Sequence, residues 1–339
     1  MSGRRRRLRR YGWWLASAGT LALAGCAAAE RQQSALSPKG SRAEAVDGLW
    51  RTMLVLGSIV WVVVTAVIVV ALVRRNRQKA GTPRRATLYV TLAGAVVPAV
   101  VILGLTVQST LVLRDIDPRD AGDGIVVELT GHQYWWEIRY PASGVVTANE
   151  IHMPVGERVA VQLNSADVIH SFWVPELSGK IDLIPGRSNT IWLETDRPGT
   201  YWGQCAEFCG IQHANMRIVV IAHEPAAFAE WTRQQLAVPG QPDGDEDPLV
   251  ARGREVFLSS SCVYCHTVAG TAATGRAGPN LTHLASRDTL AAGILANDRG
   301  NLAGWIVDPQ SLKPGNRMPG TDIDGDELQA LLAYLESLE

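Results

Sequence analysis

The chain has 339 residues, 47% of them hydrophobic, with a formal net charge of −1 and five cysteines. That length accommodates two or three domains. The small net charge hides two basic blocks, six arginines in residues 4–10 and six Arg/Lys in residues 74–85. Both flank apolar runs instead of interleaving with aromatics over a folded domain, which excludes a nucleic-acid-binding surface.

The N-terminus reads RRRRLRR, then an apolar stretch from Tyr11 to Gly25, then Cys26. A basic segment followed by a short apolar one and small residues is the pattern of an export signal. Leu23-Ala24-Gly25-Cys26 resembles a bacterial lipoprotein box, so residues 1–25 are expected to be removed and Cys26 to become a lipidated first residue. Two longer apolar runs follow within segment 26–114, about Thr52 to Val73 and Leu88 to Leu113. Each is close to the roughly 20 residues needed to cross a bilayer as a helix. The loop between them, RRNRQKAGTPRR, carries only positive charge. By the positive-inside rule it lies in the cytoplasm, and everything after Leu113 lies outside. Pro98 lacks an N–H and is expected to kink the second helix. Two helices are too few for a transporter and read as an anchor packing against a larger membrane partner.

From Ile125 short alternating runs appear: Val126–Thr130, Val159–Leu163, Thr190–Glu194 and Arg217–Ile221. Turn residues separate them, as at Pro154-Val155-Gly156, Pro185-Gly186 and Arg197-Pro198-Gly199. The pattern predicts an all-β sandwich or Greek-key barrel over residues 115–236. Its chemistry is concentrated in GTYWGQCAEFCGIQHANM, residues 199–216, which sets Cys205, Cys209, His213 and Met216 within twelve residues. Two thiolates, an imidazole and a thioether form a soft donor set that suits copper. Zinc is the competing metal for Cys and His. It does not need a thioether, and Met216 together with the upstream His170 favours copper. Two sulfurs and two histidines can hold two copper ions if both thiolates bridge them.

Residues 164–216 resemble the CuA domain of cytochrome c oxidase subunit II, a cupredoxin-like fold. The resemblance is carried by SADVIHSFWVPE, KIDLIPGRSN and the cysteine loop, and the two preceding helices extend it. It implies that Cys205 and Cys209 bridge a dinuclear copper pair. His170 and Met216 would complete one ion, and His213 with the Glu207 carbonyl the other. It further implies that the Glu207 side chain touches a Mg2+ ion shared with the catalytic subunit. Gly131-His132-Gln133-Tyr134-Trp135-Trp136 resembles the aromatic stretch where electrons reach this copper centre. The first aromatic is often Trp in the family and is Tyr134 here, so the candidates are Tyr134, Trp135 and Trp136. Many members also carry a glutamate where this chain has Thr91, so no proton-uptake residue is assigned.

The stretch from Ala237 to Pro248, AVPGQPDGDEDP, has the composition of a linker. After it, Cys262-Val263-Tyr264-Cys265-His266 is the C-x-x-C-H pattern of covalent c-type haem attachment, with His266 as an axial ligand. Met318 in Arg317-Met318-Pro319-Gly320 supplies the second axial ligand, a pairing that raises the reduction potential. Residues 249–339 resemble an all-α class I cytochrome c. Gly253 and Phe257, Gly278-Pro279-Asn280-Leu281, and Trp305 with Pro309 carry the match. The apolar stripe Leu328, Leu331, Leu332, Leu335, Leu338 predicts a closing helix, with Asp324 and Glu327 as a capping box. His283 reads as a surface or supporting histidine, since both axial positions are taken.

Together the three parts resemble subunit II of a caa3-type cytochrome c oxidase. The resemblance implies oxidation of a c-type cytochrome, passage of electrons through haem c and CuA, and oxygen reduction in subunit I, with subunit III and membrane lipid as further neighbours. It also implies a bacterial inner membrane with both exported domains on the periplasmic face. The competing readings are a nitrous oxide reductase-like protein, a copper-free quinol oxidase subunit and a copper-binding assembly factor. The first lacks room for a second copper domain, the second conflicts with the full ligand set, and the third does not need haem.

Overall fold

The computed structural model describes residues 32–74, 83–118, 124–239 and 247–339. Cys26, the segment 1–25 and most of the basic loop lie outside the described residues. The chain divides into two compact units, one of them Arg42–Asp120.

In that unit, helix α1 spans Ser41–Arg74. A second helical rod consists of α2 (Pro83–Thr91), a π-helical turn (Leu92–Val96) and α3 (Val97–Asp115). Both rods are long and apolar enough to cross a membrane, and residues such as Val55, Ile59, Trp61, Val100 and Leu103 are exposed around them. A helix that is apolar on all sides and exposed needs lipid as its solvent. The first rod starts eleven residues before the apolar run at Thr52, because the polar stretch from Ser41 continues the same helix. The interruption expected at Pro98 takes the form of the π turn. Pro98 has no N–H to give the carbonyl four residues back, and the preceding turn widens where that bond is missing. The two rods are tied by Gln108 Nε2 donating to Thr52 Oγ1 at 3.2 Å and the Arg42 guanidinium to the Ile116 carbonyl at 2.6 Å.

The other unit begins with ten strands, β1 (Ile125–His132), β2 (Trp135–Tyr140), β3 (Val145–Ala148), β4 (Glu150–Pro154), β5 (Val159–Ser165), β6 (His170–Trp173), β7 (Ile181–Leu183), β8 (Asn189–Leu193), β9 (Gly199–Cys205) and β10 (Arg217–His223). They form two five-stranded sheets, ordered β3-β2-β1-β5-β8 and β4-β10-β9-β6-β7. β1 pairs with β5 and β4 with β10 in parallel, the other neighbours antiparallel. This is the sandwich that the alternating runs predict. Its core holds Leu129, Trp136, Ile138, Leu163, Phe172 and Ile218, all fully buried. Helix α4 (Pro225–Leu236) follows and packs Trp231 against the His152 ring at 4.1 Å.

The C-terminal part is helical: α5 (Pro248–Ser259), α6 (Cys262–Cys265), α7 (Arg299–Val307), α8 (Pro309–Leu312) and α9 (Gly325–Glu336), with the two-residue strands β11 (Thr289–Leu290) and β12 (Leu295–Ala296) between them. The Asp247 side chain caps α5 and that of Asp324 caps α9, accepting from the N–H of Leu249 and Glu327. α9 crosses α5 so closely that a Cβ on Gly253 would come within 1.9 Å of the Ala330 carbonyl. Leu331, Leu332, Leu335 and Leu338 of the predicted stripe are buried in the core of this part.

Candidate functional site

The β9–β10 connection carries the cysteine loop. Its ends are pinned by the Cys205 N–H donating to the Met216 carbonyl at 2.8 Å. The antiparallel pairing of β6 with β9 sets Phe172 opposite Cys205, so His170, two residues earlier at the start of β6, lies level with the loop that follows Cys205. A Cβ on Gly131 would meet the His170 ring at 2.8 Å; the missing side chain makes room for the imidazole.

These constraints bring all six predicted ligands together. Cys205 Sγ lies 3.8 Å from Cys209 Sγ, 3.9 Å from His170 Nδ1 and 3.2 Å from the Glu207 carbonyl oxygen. Cys209 Sγ lies 3.9 Å from both His213 Nδ1 and Met216 Sδ. The donor atoms of His170, Cys205 and Cys209 all fall within 4.8 Å of one another. A sulfur–sulfur separation of 3.8 Å is far beyond a disulfide bond, whereas metal–sulfur bonds of about 2.3 Å bridge it at a near-tetrahedral angle. Two thiolates, a thioether, two imidazoles and a carbonyl suit two copper ions better than one zinc.

The electrostatics also call for a cation. The Cys205 thiol is pushed well below its ordinary value by its hydrogen bond with Cys209, aided by His170, while that same hydrogen bond, burial and the charge on Cys205 push Cys209 up. One thiolate forms readily and its neighbour resists until positive charge arrives between them. His170 is oriented by Asp167, whose Oδ1 lies 2.8 Å from Nε2. Burial opposes a charged His170, but Cys205 and Asp167 together raise its pKa above the ordinary value. Asp167 was not singled out in the sequence; its D-x-x-H spacing ahead of His170 was the available signal.

Of the three aromatic candidates, Trp136 is fully buried and meets His170 edge-on at 5.9 Å. Trp135 stacks on His132 at 4.4 Å. Tyr134 and Trp135, but not Trp136, line a cavity of about 430 Å³. Gln133 joins that stretch to the cysteine loop, its Nε2 donating to the Cys209 carbonyl at 2.6 Å.

The same cavity is walled by Cys262, Cys265, His266 and Met318. Cys262 and Cys265 are free thiols on the short helix α6. His266 lies one residue beyond α6 in extended backbone, and its Nδ1 donates to the Pro279 carbonyl at 2.8 Å. That bond fixes the tautomer and leaves Nε2 as the free donor to a metal. Burial lowers the His266 pKa, which keeps the ring neutral for that role. The residues fit a covalently held haem. His283 is buried, not on the surface, because its Nδ1 is held 2.7 Å from a C-terminal oxygen of Glu339.

The family profile described as "Cytochrome C oxidase subunit II, periplasmic domain" matches residues 143–223, and that described as "Cytochrome c" matches residues 250–339. Cytochrome c oxidase subunit 2 of Alkalihalophilus pseudofirmus is 38% identical over 330 residues, covering 94% of each chain. The chain belongs to the cytochrome c oxidase subunit II family. The subunit 2 of Bacillus subtilis is 33% identical over 74% of this chain and 75% of its own. The solved periplasmic domain of subunit II (CoxB) of Bradyrhizobium japonicum is 34% identical over 33% of this chain and 92% of its own, with a TM-score of 0.32. As an oxidase subunit II with an added cytochrome c domain, this is a membrane-anchored chain with a copper-type β-domain and a haem-type helical domain.

Proposed function

We propose that this subunit takes electrons from a c-type cytochrome at a covalently bound haem c and passes them through a dinuclear CuA site to subunit I, where oxygen is reduced to water with proton translocation. Cys262 and Cys265 would hold the porphyrin covalently and His266 and Met318 would ligate its iron, so that the haem would carry electrons rather than bind oxygen. His170, Cys205, the Glu207 carbonyl, Cys209, His213 and Met216 would hold the copper pair. When bound, that pair shares one electron over two ions, so each changes charge by half a unit and reorganises little. The observation that carries this reading is the one cavity shared by the C-x-x-C-H residues and by Tyr134 and Trp135, one residue from the Gln133 amide on Cys209.

The remaining assignments complete the reading. Residues 26–114 form the anchor, 115–236 the copper domain, 237–248 the linker and 249–339 the cytochrome domain, with both exported domains on the periplasmic face of a bacterial inner membrane. Cys26 carries the lipid, and subunit III and lipid surround the anchor. The Glu207 carboxylate, 3.4 Å from Lys180 Nζ and 45% exposed, is free to reach a Mg2+ ion at the subunit I boundary. Fixing donor and acceptor on one chain replaces a collision with a high effective concentration.

Stopped-flow mixing of the purified oxidase with a reduced c-type cytochrome tests the proposal. The c-haem bands should reduce first and a near-infrared copper band should bleach next. A protein without that band, or whose copper is reduced while the haem stays oxidised, would sink it.

A further inference from the structure

Four cationic side chains, Arg276, Arg287, Lys313 and Arg317, line the shared cavity, and no Asp or Glu does so among the described residues. Two of the four are buried, Lys313 at 2% exposure and Arg287 at 8%. Lys313, just past α8, donates from Nζ to the Tyr134 carbonyl at 2.9 Å and to the Ala291 carbonyl at 2.8 Å. An ammonium has three N–H donors, so one remains after those two bonds. Arg287 donates to the Asn280 carbonyl, and its buried Nε has no hydrogen-bond partner.

The carboxylate that acts on Arg287, that of Glu150, does not serve the cavity. Glu150 Oε1 accepts from both the N–H and the hydroxyl of Thr289 at 3.0 Å, and the residue lies outside the cavity lining. Burial lowers Lys313 to about 7 and Arg287 to about 10, the signature of cations held without sufficient counter-charge. Such groups are costly to bury unless an anion joins them. A haem bound through its vinyl groups at Cys262 and Cys265 brings two carboxylates on its other edge.

We propose that Lys313 and Arg287 receive the carboxylate edge of the haem, and that Lys313, bonded to the Tyr134 carbonyl, locks that edge against the copper domain. The proposal rests on reading Cys262–His266 as a c-haem site. One ammonium then joins the cofactor, the cytochrome domain through Ala291 and the copper domain through Tyr134. Lys313 is thus a positioning residue. Its charge also matters, because in a low-dielectric wall an uncompensated carboxylate would favour the oxidised, more positive haem.

The test uses the intact oxidase carrying Lys313→Met or Lys313→Arg, with the haem carboxyls labelled with carbon-13. Redox titration and redox-difference infrared spectroscopy are the readouts. Lys313→Met should lower the haem midpoint potential and shift the labelled carboxylate band, with the copper absorption unchanged. Lys313→Arg should keep the potential, since the charge stays, yet shift the band, since the partner's shape changes. A purely structural clamp would move neither quantity, and an unmoved potential and band in Lys313→Met overturn the proposal. Should the methionine variant fail to take up haem, the band of Lys313→Arg decides, and an unshifted band there overturns it. Absence of any c-haem spectrum in the wild-type protein would strike the haem reading itself.

Discussion

Asp167 and His170 form a fixed pair, with Asp167 Oδ1 2.8 Å from Nε2 of a histidine that is fully shielded from solvent. The bond turns Nδ1 toward Cys205 Sγ. The other carboxylate oxygen of Asp167 accepts from the Gln133 N–H at 2.8 Å and meets the Arg317 guanidinium at 3.4 Å. Arg317 precedes Met318, so a single carboxylate links the surroundings of both proposed redox centres. Hydrogen bonds from His170 and from the Gln133 and Val168 N–H groups overcome its burial and hold Asp167 below the usual carboxylate range.

Asp167→Asn keeps the shape but removes the charge that orients His170. Loss of such a partner typically weakens metal binding by about 10–100-fold. Competition with a copper chelator should show a drop of that order, and affinity equal to wild type would mean that the β6–β9 register alone positions the ring.

Met216 is fully buried with Sδ 3.9 Å from Cys209 Sγ. Met216→Leu nearly conserves volume and should cost less than about 1.5 kcal/mol of stability. The copper absorption should nevertheless change, because a thioether donor is replaced by hydrocarbon. Thermal unfolding and near-infrared spectra on the same sample separate the two effects, and an unchanged spectrum would remove Met216 from the ligand set.

Met318 is held by its backbone, its N–H donating to Asn316 Oδ1 at 2.7 Å and its carbonyl accepting from Gln310 Nε2 at 2.8 Å. Met318→Ala therefore acts through the lost thioether and should lower the haem potential. A redox titration that returns the wild-type potential would assign the axial position to another residue.

Glu150, buried at the start of β4 against Thr289, is pushed up to about 7 by burial, with Arg287 acting against and Asp288 with that shift. A carboxylate raised in the folded state binds its proton more tightly folded than unfolded. Its contribution to stability is complete below the ordinary value near 4.5 and is lost as pH rises through about 7. Glu150→Gln should flatten this part of the stability profile between those limits, measured by denaturant unfolding. A parallel profile in the variant would mean that other groups carry the dependence.

The clustering of donor atoms in the cysteine loop was legible because Cys205 to Met216 is local. The strands and the last helix were legible from their apolar periods. The start of α1 at Ser41 was not, since a polar helical extension carries no hydropathy signal. Helix α4 was missed for a related reason: only Phe228 and Trp231 face the sandwich core, as partly buried residues. Lys313, Glu150 and Arg287 carry no sequence signal either. Their surroundings arise where the β-sandwich and the C-terminal helical part meet, through pairs such as Lys313 with Tyr134 that are 179 residues apart.

A glycine makes the room that one proposed ligand occupies. A methyl group at Gly131 would stand 2.8 Å from Cδ2 of His170 and 3.3 Å from Cδ2 of Leu183. The imidazole cannot yield easily, being held by Asp167 on one side and flanked edge-on by Trp136 on another. Overpacking of this kind costs about 1–3 kcal/mol. Gly131→Ala should therefore lower the unfolding temperature of the metal-free protein modestly and lower its copper content sharply, because the side chain displaced is a proposed ligand. Copper quantified per chain, alongside thermal unfolding after chelation, distinguishes the two losses. A variant that unfolds earlier yet retains two coppers per chain would show that His170 tolerates displacement and that the site does not depend on this close approach.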